Sequence, residues 1–303
     1  MKKMKLFFTT FISILIVMGF TGCNVDQKAQ QTGTRRQPRN EIDLLEKIKE
    51  RGSIIVSTDP NYAPQSYVKE NGEFAGFDID VAREIGKRLG VKIDFVTPDW
   101  DLITAGSWSD RWDMSVGSVA VTEQRKERLD FAEPAYYYTL AQFAATKNLG
   151  LKTISDISGQ NVCVCTETVY EYWLTREKER LGLPENSVFV DPPDNVQVMP
   201  MKTDNECVQS IQSGREEFAI FLSSHTIVDA AIDNGVAIEK VGTPVFAEHL
   251  AVAFDKKSSA DNTSLRKKVS QIISQMHEDG TLSNLSRQHF DGRDYTKQQS
   301  SSL

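Results

Sequence analysis

Short apolar runs alternate with amphipathic helical segments along most of this chain, and the series is run through twice, with a break near Lys147-Asn148-Leu149-Gly150. That alternation constrains the fold more than any other feature. A strand that is apolar throughout must be covered on both faces, and a helical crossover between two such strands leaves them parallel. In the first series Ile42, Leu45 and Ile48 share a helical face that ends at Arg51-Gly52, and residues 53–57 have buried-strand character. Asn71-Gly72 marks a hairpin between Tyr67 and Phe74. Ile79, Ala82, Ile85, Gly86 and Leu89 line a helix that stops at Gly90, with strands expected at 91–96 and 114–119. The second series predicts strands at 161–164, 187–190 and 218–222, and helices at 170–181, 207–213 and 226–232, the last capped by Gly235. Two apolar stretches, 140–145 and 250–254, fall where the chain would cross between the two series. The last long helix carries Leu265, Val269, Ile272, Ile273 and Met276 on one face. The expected class is therefore α/β, with two lobes joined by two crossings, a ligand between them and hinge closure around it. Lobe 1 is expected from residues 41–143 and 251–292, lobe 2 from 144–250, and residues 293–303 as a disordered tail.

Residues before this region read differently. Lys2, Lys3 and Lys5 precede an apolar run from 6 to 20, the pattern of an export signal and short for a spanning helix. Phe20-Thr21-Gly22-Cys23 resembles a bacterial lipobox, which implies cleavage after residue 22 and acylation of Cys23. Phe20 stands where an aliphatic residue is usual. Residues 24–40 contain one sizeable aliphatic side chain, Val25, and are expected to be a flexible tether. More than one acyl chain on Cys23 would hold the protein at the membrane, at the cell surface or in a periplasm. Losing the signal's three lysines takes the formal charge from −7 to −10.

Composition narrows the function classes. With 303 residues, 40% hydrophobic and 25% charged, the chain is neither disordered, collagen-like nor multi-spanning. Its 35 basic against 42 acidic residues argue against a nucleic-acid binder that relies on phosphate neutralisation. Four cysteines are too few for a disulfide scaffold of this length. The histidines, His225, His249, His277 and His289, have no metal-ligand spacing, and no cofactor motif stands out.

Gly76-Phe77-Asp78-Ile79-Asp80-Val81-Ala82-Arg83-Glu84-Ile85-Gly86 resembles the signature of the extracellular solute-binding proteins that serve ATP-driven polar amino acid importers. Gly76 suits a tight strand-to-helix turn, and Asp78 is placed where a carboxylate can cap the helix. A second match runs from Gly117-Ser118-Val119-Ala120 through Thr122-Glu123-Gln124-Arg125 to Leu129-Asp130-Phe131-Ala132-Glu133-Pro134. The resemblance implies that Arg125 forks onto the ligand's α-carboxylate, with backbone donors near Ser118 and Ala120. In a third stretch, Asp59-Pro60-Asn61-Tyr62-Ala63-Pro64, the family pattern stacks the tyrosine on the ligand and faces the aspartate to its far end. Trp100 falls where such proteins place a second aromatic wall. The likeness extends over about residues 41–290, with a bilobed type II fold, a membrane permease as partner and a monomeric state as its implications.

The departures fall on ligand positions. Ala120 replaces a usual serine or threonine, and the glycine-threonine turn of lobe 2 reads Cys165-Thr166-Glu167-Thr168. Leu222 stands where the family has an aspartate for the ligand's α-ammonium, and a leucine accepts no hydrogen bond. Glu167 could supply that carboxylate, or it could be a solvent-facing acid in a first helical turn. Thr168, Ser223 and Ser224 are further polar candidates. Of the cysteines left after Cys23, the expected pair is Cys163–Cys207, strand to helix, with Cys165 free. Asp59, Tyr62 and Trp100 lean toward a cationic or polar amino acid, while Leu222 warns of a ligand that is not a standard α-amino acid. Two other readings stand beside solute binding: a dehydratase-like enzyme on the same scaffold, with Glu167 or Asp59 as general acid, and an extracellular sensor lobe.

Overall fold

The computed structural model describes residues 42–297. The expected export signal, Cys23 and the tether lie outside the described residues.

Asp43 accepts the Glu46 backbone N–H and starts helix α1 (Leu44–Arg51), which ends at Gly52 with φ 74°. Strand β1 (Ser53–Ser57) follows. A small antiparallel sheet is then built from β2 (Asn61–Tyr62), β3 (Ser66–Val68) and β4 (Phe74–Ala75). At Gly76, φ is 119° and an added Cβ would overlap the Gln65 carbonyl, so the chain can turn into α2 (Phe77–Leu89) only through glycine. Next come β5 (Lys92–Val96), α3 (Trp100–Ala105), β6 (Met114–Ala120), α4 (Glu123–Lys126), β7 (Leu129–Phe131) and the long strand β8 (Tyr137–Thr146). The second series comprises β9 (Asn161–Cys165), α5 (Val169–Leu174), α6 (Lys178–Leu181), β10 (Gln197–Met201), α7 (Asp204–Gln212), β11 (Ile220–Ser224), α8 (His225–Asp233) and β12 (Ile238–Val241). The chain returns through β13 (Ala247–Asp255) to α9 (Thr263–Glu278) and α10 (Thr281–His289).

The main sheet runs β10-β9-β11-β8-β13-β6-β1-β5. Its two ends are parallel, β5 with β1 and β6 on one side, β10 with β9 and β11 on the other. Strands β8 and β13 join them. They pair antiparallel at Leu140↔Ala247 to Tyr137↔Leu250; beyond that, β8 continues into β11 and β12, and β13 into β6 and β7. Each lobe is therefore a parallel sheet edge with helices over it, and the carboxyl ends of both sets of strands face the seam, where open α/β sheets bind ligands.

Several local expectations are corrected. Residues 187–190 are not a strand: a 3₁₀ turn (Glu185–Ser187) leads to a single bridge between Val188 and Phe246. The strand beside β9 is β10, which contains Pro200 and is tolerated because it lies at the sheet edge, where a missing N–H costs no ladder bond. The helix expected over 170–181 is two, broken where Arg176 adopts φ 62°. Asp78 does not cap α2; Gly76 is the cap residue and the Asp78 carboxylate is buried beneath β6. Residues 293–297 of the expected tail are packed: Tyr295 is 6% exposed, its carbonyl accepts from the Tyr138 N–H, and Arg293 pairs with Asp233 on α8 at 3.0 Å. The tail thus ties the last helix to the opposite lobe.

Candidate binding site

Between the lobes lies a cavity of about 40 Å³. Lobe 1 contributes Asp59, Tyr62, Trp100, Gly117, Ser118, Ala120 and Arg125; lobe 2 contributes Cys165, Thr168, Val169, Tyr170 and Asp204; Glu248 comes from the joining strand β13. The lobes touch around it. Asn61 Nδ2 donates to Thr203 Oγ1 at 3.0 Å, Gln65 Nε2 to Thr226 Oγ1 at 2.6 Å, and the Tyr62 and Ser224 hydroxyls are 3.2 Å apart.

The position of Arg125 follows from its local sequence. Thr122 accepts the Arg125 backbone N–H at 3.1 Å, capping α4 and presenting position 125 toward the seam. The side chain is 5% exposed. Its Nη1 donates to the Ala120 carbonyl at 3.1 Å and its Nη2 to the Glu167 carbonyl at 3.2 Å, while the guanidinium carbon lies 5.2 Å from the centre of the Trp100 ring. Burial lowers its pKa from the ordinary arginine value. Neutral carbonyls hold the cation in place without cancelling its charge, and no carboxylate among the described residues forms an ion pair with it.

Three carboxylates share the cavity with that one guanidinium. Glu248 accepts from the Tyr170 hydroxyl at 2.6 Å, Asp204 from the Ser223 hydroxyl at 2.6 Å, and Asp59 from the Asn61 backbone N–H at 2.7 Å. Burial raises all three, Glu248 and Asp204 to about 7; the charge of Asp59 adds to the rise at Asp204, and that of Asp204 to the rise at Glu248. Asp78, below the floor, is also raised to about 7 by burial although Ser118 and Tyr136 donate to it at 2.7 and 2.8 Å.

The expected ligand residues do not all converge. Arg125, Ala120, Asp59, Tyr62, Trp100, Thr168 and Ser118 line the cavity. The Ser118 groups, however, are already engaged: its N–H donates to the Tyr136 hydroxyl at 2.9 Å and its own hydroxyl to Asp78. Its φ of 55° turns the side chain down from the strand, an orientation no strand pattern foretells. One face of Trp100 carries Arg125, and its indole N–H donates to the Glu167 carbonyl at 3.1 Å. Glu167 does not supply a carboxylate to the cavity. With φ 58° it aims its carbonyl at Arg125 and Trp100, while its side chain turns outward to Arg180 at 2.5 Å and the Tyr172 hydroxyl at 2.7 Å. Ser223 lies behind the wall and acts through Asp204. Sequence reasoning missed Asp204, Glu248 and Tyr170, and read Cys165 only as part of the altered lobe 2 turn. The only available signal for Asp204 was Thr203-Asp204-x-Glu206, which reads as an ordinary helix start.

These raised carboxyls make stability depend on pH. Ordinary carboxyls ionise near pH 4 in an unfolded chain. Asp78, Asp204 and Glu248 keep their protons to about 7 when folded, so their stabilisation is full below about pH 4 and is lost as pH rises through 7. His225, lowered to about 4 by burial, works in the opposite sense up to its unfolded value near 6.5. Above pH 6.5 only the acids remain, and calorimetry of the ligand-free protein is expected to show Tm falling from pH 6.5 to 8. A flat or rising Tm across that interval would mean these acids are ionised throughout.

A two-lobed α/β chain, with an interlobe cavity holding a fixed cation and opposed carboxylates, is built to enclose a small charged solute. The family model for bacterial extracellular solute-binding proteins, family 3, matches residues 54–292, and the chain belongs to that family. It is 30% identical to the L-cystine-binding protein TcyJ of Escherichia coli (strain K12), over 84% of this chain and 88% of that one. It is 28% identical to the probable amino-acid-binding protein YxeM of Bacillus subtilis (strain 168), over 78% and 83% respectively. Among solved structures, an ancestral arginine-binding protein bound to arginine superposes with a TM-score of 0.66 at 25% identity, covering 79% of this chain and 99% of the other. The chain is thus a solute-binding protein of an ABC transporter family.

Proposed function

We propose that this chain captures an amino-acid-like solute outside the cytoplasm and hands it to a membrane permease, and that it is not an enzyme. The observation that carries the reading is Arg125, a buried guanidinium at the cavity wall, held by two carbonyls and lacking an anionic partner of its own among the described residues. A solute α-carboxylate would complete it with two parallel N–H donors. The opposed carboxylates favour a solute that also carries a cationic nitrogen, as both cystine and arginine do. Residues 41–143 and 251–292 would close against 144–250 by flexing at β8 and β13, sealing Tyr62 and Trp100 over the solute. Acyl chains on Cys23 would keep the protein at the membrane surface beside its permease, which intact mass measurement of the membrane-bound form tests.

A thermal-shift screen of amino acids, simple amines and small monocarboxylates tests the central reading. An amino acid is expected to raise Tm, because a solute that binds only the folded state stabilises it by mass action, whereas an amine or a carboxylate alone fills half the site. The solute should be recovered unchanged after prolonged incubation; conversion to a product would replace this reading with the enzymatic one.

A further inference from the structure

We propose that Asp204 is the carboxylate that receives the solute's α-ammonium, taking the place of the acid that position 222 lacks. This rests on the amino-acid reading above and adds the residue that recognises the amino group. Leu222 is 1% exposed and packed in the apolar core, so it offers an ammonium nothing. Its neighbour Ser223 points the other way, and its hydroxyl holds Asp204 Oδ1 at 2.6 Å. The acid has therefore moved from the end of β11 to the first residue of α7, and the end of β11 now steadies it.

Three observations single out Asp204 among the cavity carboxylates. It is 5% exposed and lines the cavity, yet among the described residues its only side-chain partner is a neutral hydroxyl. Glu248 is likewise held by a neutral hydroxyl, that of Tyr170 at 2.6 Å, but it lies within the field of Arg125. Asp59 belongs to the lobe that already supplies Arg125 and spends one oxygen on the Asn61 N–H. The mounting of Asp204 is also rigid. Thr203 and Glu206 form a reciprocal capping box around its turn, and the Cys163–Cys207 disulfide fastens α7 to β9. A carboxylate buried without a cation is costly, and cationic nitrogen is the chemistry that completes it.

The test is calorimetric titration of wild type and Asp204→Asn with L-arginine, L-cystine and their desamino analogues, with circular dichroism to check folding. Asp204→Asn should weaken the tighter amino acid by at least about 30-fold, the scale of removing one partner of a buried charge pair, while leaving its desamino analogue within about threefold. Equal weakening of both ligands, or no weakening, overturns the assignment of Asp204. If neither amino acid binds wild type, the amino-acid reading fails first, and this assignment with it.

Discussion

Arg125→Ala is expected to weaken solute capture by roughly 2–5 kcal/mol, about 30- to several-thousand-fold in Kd. The size follows from what the side chain does. It is 5% exposed, so the carboxylate it grips would be desolvated, and removing the guanidinium leaves that anion without its compensating charge. The variant loses more than charge. Arg125 Nη2 and the Trp100 indole N–H both donate to the Glu167 carbonyl, so the guanidinium is also one of the ties that hold the lobe 2 turn against lobe 1. Arg125→Lys separates the two effects: it keeps the charge but cannot fork onto two oxygens or bridge Ala120 and Glu167. Titration calorimetry with the best solute from the screen should rank wild type above Lys above Ala. A loss under about 0.5 kcal/mol for Ala would show that no desolvated carboxylate is bound there, since that is the scale of an exposed contact.

Most of the architecture was legible because it depends on periodicity. The buried strands at 53–57 and 114–119, the helical face from Ile79 to Leu89 and the crossings at 140–145 and 250–254 coincide with β1, β6, α2, β8 and β13. β10 was not legible, since Pro200 argues against a strand unless the sheet edge is known in advance. At the site, the sequence located the Thr122–Arg125 turn, where capping chemistry is local. It left Glu167 open between a carboxylate for the solute and an outward-facing acid, and it offered backbone donors near Ser118, whose N–H is taken by the Tyr136 hydroxyl; both residues stand at positive φ, 58° and 55°, which tertiary packing imposes on non-glycine residues and no local pattern shows. Asp204 was hidden for a different reason. A helix-start acid and a ligand-binding acid have the same sequence signature, and only the Ser223 contact across the sheet end tells them apart.

Replacing the disulfide, as Cys163→Ser/Cys207→Ser, is expected to cost about 4 kcal/mol of unfolding free energy. The bond joins residues 44 apart, and restoring the conformational freedom of an unfolded loop of that length is worth about this much. The loss should extend to the site. Cys163 sits on β9 two residues before Cys165, which lines the cavity, and Cys207 sits one turn into α7 behind Asp204. The bond therefore fixes two walls of lobe 2 relative to each other. Without it, α7 still packs Val208 and Ile211 against Phe221 and Phe218, so the lobe should fold with a lower Tm. Solute affinity should also fall, because Asp204 no longer stands in one place before the solute arrives. Cys165→Ser removes a thiol whose only hydrogen-bond partners among the described residues are the Thr166 and Lys202 carbonyls, and it should leave Tm nearly unchanged. Denaturant unfolding of wild type with and without reductant, beside both variants, checks the prediction. If reduction leaves the midpoint where it was, the bond does not constrain the unfolded chain as its spacing requires.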